Sequence, residues 1–423
     1  MSARALAALI LLLLTACRQP PTAALAQEAY VWQQAWTPAL SDSLAGPAAD
    51  GLAGWRVLIA EQVAGGSAPR WRNVAPDWPA LARTGRPLTA VLRLDGQLSA
   101  LGDVAGDPAS DALRHAIVER WQTAQRDAGV PLALEIDHDC ATRRLPGYAR
   151  FLRALHADVK ARGGTLSITA LPAWLARPED LRKLLAAVDA HVLQVHAVSR
   201  PGQGLWSAAQ TDAWLADWAR LAPHPFALAL PAVGSAVRVS ASGDVLAVRS
   251  TQPVAARDWP ADSRELSLLP DPLALAAYLE RLQARRPERL RAVVWFRWPL
   301  LGDANAFTPA SWALLRRDPA AFTAASRAAP VQLTSEAPEP ATPDGPVRRW
   351  LLVNPGATDL RLPAELDLPA GCEPLLPLNG AQLSSGPRVR LSPDPVEVRL
   401  LPAGARLAVA LARCPSNPAS APP

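Results

Sequence analysis

Lysine is almost missing from this chain. Among 423 residues only Lys160 and Lys183 occur, so 41 of the 43 basic residues are arginine. Set against 38 acidic residues this leaves a net charge of +5, too thinly spread for the concentrated basic face that nucleic-acid recognition needs. There are four cysteines, with no CxxC pair and no Cys/His spacing of the metal-binding kind, so neither a metal nor a cofactor is expected. GxSxG, HExxH, the P-loop and GxGxxG are absent, which removes the commonest hydrolase, zincin and nucleotide-binding signatures. Long apolar runs are missing too. The longest, residues 5–14, is half of the roughly 20 residues that a bilayer-spanning helix requires. What is present is an apolar half of the composition, ample for a core, and a tryptophan excess: 15 of 23 aromatic residues, against 3 tyrosines and 5 phenylalanines. The length suggests two domains, or one large domain with a smaller one.

The amino terminus reads as an address. Arg4 precedes the apolar run, which ends in Leu14-Thr15-Ala16-Cys17. A basic start, a short apolar stretch and small residues before a cut site make a secretory signal peptide. The last four residues are similar to the bacterial lipobox, which implies acylation of Cys17 as the new amino terminus. A plain signal peptide cut after Ala26 is the competing reading. Arg18, rather than Asp, follows the cysteine and resembles the outer-membrane sorting default. A cell-envelope protein is therefore expected, lipid-anchored at the outer membrane, facing the periplasm, and touching membrane only through its anchor. In an oxidising compartment Cys372 and Cys414 are a possible disulfide, while Cys140 reads as a small buried apolar residue.

From residue 30 onward, short apolar runs alternate with amphipathic helical stretches, the pattern of parallel α/β architecture. Strands are predicted at 30–36, 56–63, 88–95, 132–139, 165–171, 191–198, 226–231 and 292–298, with helices at 111–128, 148–162, 178–188, 208–221 and 272–286. Proline and glycine crowd 38–54 and 65–87, so helices there are poorly marked. Eight β/α units fit a TIM-type (β/α)8 barrel over 28–328, with a doubly wound open sheet as its rival. A β-hairpin is expected around Ser242-Gly243-Asp244. Residues 329–346 read as a linker and 347–414 as a small all-β sandwich with turns such as Asn-Pro-Gly and Asn-Gly. Residues 415–423 read as a tail without a fold.

In such barrels chemistry sits at the carboxyl ends of the strands. The densest cluster is Glu135-Ile136-Asp137-His138-Asp139. Alternation along a strand puts Glu135, Asp137 and Asp139 on one face, where like charges should raise at least one pKa and so supply a general acid. The competing role is an ion-pair network with Arg93 or Arg297 that closes the barrel top. Other strand ends offer Glu61, Asp95, Gln194 and His196. Trp32, Trp36, Trp174, Trp295 and Trp298 also fall at strand ends, where an indole suits a sugar ring; core packing is their alternative. Carboxylates and tryptophans together suggest glycoside chemistry on a polysaccharide or oligosaccharide.

Two resemblances follow from these residues. The fourth strand resembles the DxxDxDxE motif of family 18 chitinases, whose closing Glu is the acid. One alignment puts Ala141 in that place, and a shift by two residues makes Asp139 the acid. More of the chain is similar to an uncharacterised bacterial family, domain of unknown function 3142. The matching motifs are Val31-Trp32-Gln33-Gln34-Ala35-Trp36, Ile136-Asp137-His138-Asp139, the LSITALPAW stretch ending at Trp174, and Leu352-Val353-Asn354-Pro355-Gly356. That resemblance implies a barrel-like fold and no assigned activity. The expectation is an exported glycoside hydrolase-like lipoprotein. The alternative is a non-catalytic glycan-binding or envelope-assembly lipoprotein with a degenerate barrel site.

Overall fold

The computed structural model describes residues 24–63, 70–94, 107–196, 201–249, 259–303, 305–336, 347–392, 394 and 396–415. Residues 1–23 with Cys17, residues 95–106 with Asp95 and residues 416–423 lie outside them.

Twelve strands belong to the first unit: β1 (Ala26–Val31), β2 (Gly54–Val63), β3 (Arg70–Asn73), β4 (Leu88–Leu94), β5 (Ala133–His138), β6 (Leu166–Ala170), β7 (Ala190–Gln194), β8 (Phe226–Pro231), β9 (Ser235–Val239), β10 (Val245–Arg249), β11 (Arg264–Leu268) and β12 (Leu290–Phe296). Eight of them pair in parallel in the order β1-β12-β8-β7-β6-β5-β4-β2, and β2 pairs back onto β1. That last pairing closes a TIM-type barrel and excludes the open sheet. The helices are α1 (Pro38–Ser43), α2 (Trp78–Arg83), α3 (Pro108–Ala128), α4 (Leu145–Lys160), α5 (Pro178–Leu185), α6 (Ala208–Leu221), α7 (Pro272–Ala284), α8 (Pro309–Arg317) and α9 (Pro319–Ala328). The two poorly marked segments each hold one six-residue helix, capped by the side chains of Thr37 and Asp77. The expected hairpin is β9–β10, and β11 adds a third antiparallel strand on the other side of β9.

The first strand begins four residues earlier than its apolar run suggests. Its leading residues are polar but have buried partners. Gln27 accepts from the Trp295 indole at 2.7 Å, and Glu28 pairs with Arg56 at 2.7 Å. Polar pairing on either face of a buried strand hides it from hydrophobic pattern.

Two apolar layers follow from strand alternation. Outward side chains such as Leu134, Ile136 and Leu228 pack with Leu152 and Leu155 of α4 and with the other helices. Inward ones, including Leu58, Val91, Val192, Ala227, Ala229, Ala292 and Val294, make the barrel's own core. Small residues on β8 and β12 leave space there. Tyr30, Trp32 and Phe296 occupy part of it as an edge-to-face trio with centroids 5.3–5.9 Å apart.

The second unit begins inside the stretch expected to be linker. Strand β13 (Gln332–Ser335) pairs antiparallel with β14 (Val347–Val353). After them come β15 (Leu360–Arg361), β16 (Glu365–Asp367), β17 (Glu373–Pro377), β18 (Gln382–Leu383), β19 (Arg388–Arg390), β20 (Leu400–Leu401) and β21 (Arg406–Arg413). The sheets β13-β14-β21-β17 and β16-β19-β18 share one core built on Trp350, Leu352, Val389 and Val409. Cys372 and Cys414 form a disulfide, with Cα atoms 4.1 Å apart.

Candidate active site

Strand β5 carries its acids as a ladder, each rung with its own partners. Glu135 is the deepest and is fully buried. It accepts from the Tyr30 hydroxyl at 2.7 Å and from Ser167 at 3.1 Å, and it forms an ion pair with Arg56. Burial pushes the Glu135 carboxyl up and Arg56 opposes the shift. Burial works against the charge of Arg56 itself, but Glu135 and Glu28 outweigh it and hold the guanidinium pKa above its ordinary value.

One rung higher, Asp137 accepts from Thr169 at 2.5 Å and from Arg93 at 2.8 Å, and its side chain is only 5% exposed. Asp139 lies just past the strand, 44% exposed, with the same Arg93 guanidinium at 3.3 Å. Burial and then the Asp137 charge raise the Asp139 pKa, while Arg93 lowers it. Glu28, Glu135, Asp137 and Asp139 share this region with Arg56 and Arg93, so the acids outnumber the cations.

Above the ladder is a cavity of about 190 Å³ bounded by Tyr30, Trp32, Gln194, His196, Phe296 and Val248 as well as by Arg93, Asp137 and Asp139. The His196 ring stacks on Phe296 with centroids 5.0 Å apart. Burial pushes its pKa down to about 4, so it is a neutral group in this wall. The pocket is thus lined by two carboxylates, a guanidinium, aromatic rings and an amide. Among the described residues no group of three His, Cys, Asp or Glu side chains is placed to hold a metal ion.

Of the residues singled out in the sequence, Asp137, Asp139, Arg93, Gln194, His196 and Trp32 converge on this cavity, with Glu135 beneath it. Others do not. Glu61 is held at the rim by Gln34 at 2.7 Å and Arg72 at 3.5 Å. Trp36 is only partly buried and packs against the apolar layers without lining the cavity. Trp174, Trp295 and Trp298 are fully buried in the layer between strands and helices. Their indole N–H groups donate to Cys140 O, Gln27 Oε1 and Ser43 Oγ at 2.7–2.8 Å. Arg297 is buried too, and it pairs with Asp303 at 3.0 Å, not with the acids. Parity is the reason on β12: Val294 and Phe296 face inward, so Trp295 faces out. Tyr30, Arg56, Thr169 and Phe296 are site residues that the sequence reading passed over. The i, i+2 spacing of Tyr30 with Trp32, and of Ser167 with Thr169, is the signal available for two of them.

The model of the family described as "Domain of unknown function (DUF3142)" matches residues 84–301, just over half of the chain. The chain belongs to this family. The DUF3142 match runs from β4 to the end of β12 and so contains the acid ladder, while the Trp32–Trp36 opening and the Asn354 motif lie outside it. No curated protein matches. Among solved structures, a chitinase from Chromobacterium violaceum is similar at 16% identity and a TM-score of 0.48, over 70% of this chain and 98% of that one. A spore cortex-lytic enzyme from Bacillus megaterium gives 10% identity and a TM-score of 0.48, over 70% and 75%. A class V chitinase from Pseudomonas fluorescens gives 16% and 0.45, over 69% and 99%.

Proposed function

We propose that this DUF3142 protein is a glycoside hydrolase whose barrel mouth takes one sugar ring of a polysaccharide, with Asp139 as the proton donor. The observation that carries this reading is the unequal pair on one strand end. Asp137 is pinned by Arg93 and Thr169, whereas Asp139 is open to the cavity with its pKa raised. In the proposed reaction the Asp139 proton passes to the glycosidic oxygen as that bond to the anomeric carbon breaks. Asp137, paired with Arg93 at 2.8 Å, faces the positive charge that develops on the ring, and a water then adds to the anomeric carbon and returns its proton to Asp139. Trp32 and Phe296 supply apolar faces for the ring, and Gln194 an amide for its hydroxyls. The cavity, at about 190 Å³, lies below the roughly 300–1,000 Å³ of drug-sized sites and suits one ring, not several.

Release of reducing ends from a panel of α- and β-linked polysaccharides tests the assignment. Asp139→Asn should lower the rate at least 100-fold with the fold intact. Cleavage at the wild-type rate by that variant rules out Asp139 as the donor. A second reading, glycan binding without turnover, is favoured by Arg93, which spans both aspartates at 2.8 and 3.3 Å. It is selected if glycan binds, no reducing ends appear, and Trp32→Ala weakens the binding.

The proposal extends to location. Arg4, the short apolar run and Cys17 support export and an acyl anchor at the outer membrane. Labelling with a radioactive fatty acid should mark the wild type and not Cys17→Ala, which should move to the soluble periplasmic fraction. A labelled Cys17→Ala overturns the anchor.

A further inference from the structure

A cavity of about 790 Å³, sharing no lining residue with the barrel mouth, opens at the seam between the two units. It lies between the amino end of α7, the carboxyl end of α9 and strands β13, β15 and β16. Its size falls within the range of small-molecule sites. Leu273, Val331, Leu333, Leu352, Leu362 and Leu366 make a continuous apolar wall, and Leu273 is exposed at its edge.

The charges around this wall are unequally committed. Asp271 accepts from the backbone N–H groups of Leu273 and Ala274 at 3.0 and 3.1 Å and pairs with Arg361 at 3.2 Å. Asp359 accepts from Thr308 and from the Ala403 N–H. Glu365 pairs with Arg390 at 2.8 Å, and Asp367 with Arg388 at 2.9 Å. Every carboxylate in the lining is therefore neutralised or hydrogen-bonded. Arg327, exposed in the last turn of α9, makes no hydrogen bond or ion pair among the described residues. The unspent charge at the rim is one cation beside an apolar channel.

We propose that this seam binds a single-chain anionic amphiphile, with its tail along the leucine wall and its carboxylate on Arg327. A cationic headgroup finds no uncommitted acid in the lining, and a neutral one leaves Arg327 unpaired. The site is separate from the barrel mouth, so it stands or falls independently of the glycoside reading.

Calorimetric titration of the full chain with dodecanoate, dodecanol and dodecyltrimethylammonium, all below their micelle concentrations, tests this. One saturable site for dodecanoate is expected, tightening about fourfold for each added methylene from decanoate to tetradecanoate. Arg327→Glu should weaken dodecanoate about tenfold and leave dodecanol unchanged. Leu273→Asp, at an exposed position that folding tolerates, should weaken both. Absence of saturable binding, equal affinity for dodecanol and dodecanoate, or an unaffected Arg327→Glu variant overturns the proposal. So does displacement of dodecanoate by an apolar peptide that binds more tightly.

Discussion

Arg56 enters the barrel interior near the start of β2 and lies between two carboxylates, Glu28 at 2.7 Å and the fully buried Glu135. A buried pair of this kind adds little net stability, but removing one partner leaves an uncompensated charge in a low-dielectric interior. Arg56→Met should therefore cost about 3–5 kcal/mol, and the double variant with Glu135→Gln should recover much of that loss because the only carboxylate then left without Arg56 is Glu28, which reaches solvent. Urea denaturation of the two variants reads the difference. Equal midpoints for Arg56→Met and wild type would show that Glu135 is protonated in the folded protein and needs no cation. The same logic assigns Glu135 a supporting place. It lies beneath the cavity and reaches it only through its hydrogen bond from Tyr30.

Strands were the legible elements, and side-chain parity decided what each could contribute. All eight barrel strands announced themselves as short apolar runs, because each buries both faces. The structure places an expected residue in the cavity where the inward face carries it, as at Asp137 and Gln194. End-of-strand position alone does not give direction: Trp295 packs toward the helices and Arg297 pairs with Asp303. The polar start of β1 was invisible for the opposite reason, since Gln27 and Glu28 find their partners only after the barrel closes. Strand β7 and the residues just past it hold two further polar groups, both histidines. His191 faces outward, stacked on Phe226 at 5.6 Å, and His196 stacks on Phe296 in the mouth. Burial lowers their pKa values to about 3 and about 4, with nearby His224 adding to the effect on His191. An unfolded histidine titrates near 6.5, so between these values the unfolded chain binds more protons. Stability is thus full above about pH 6.5 and falls as pH drops toward 4 and 3, by up to about 1.4 kcal/mol per pH unit for each ring. His191→Phe should flatten that decline between pH 6.5 and 4 in urea titrations. A slope identical to wild type would mean that His191 is protonated without unfolding.

At the scale of the whole molecule, the question is whether barrel and β-unit unfold as one body, and Asp359 sits where the answer is decided. It follows β14 in the second unit, yet its carboxylate accepts from the Thr308 N–H at 2.6 Å and the Thr308 hydroxyl at 2.9 Å, at the cap of α8 in the first. Its own N–H donates to Ser311 at 2.8 Å on the same helix, and Ala403 of the second unit completes the set at 3.1 Å. Close by, Ser326 of α9 bonds Thr358 at 2.9 Å, and on another side the Val398 N–H donates to Ser267 of β11 at 3.0 Å. These contacts are short, buried and polar, so loss of one leaves donors unsatisfied at about 1–3 kcal/mol each. Within the second unit, the Cys372–Cys414 disulfide closes its own chain and adds nothing across the seam. Cooperativity between the units must therefore come from the seam itself. Wild type should show one calorimetric unfolding transition. Asp359→Ala should split it, the β-unit melting first while the barrel, with its independent core, keeps its midpoint within a few degrees. If Asp359→Ala instead lowers a single, undivided transition, the barrel depends on the β-unit for its own stability, and the seam belongs to the core of one domain.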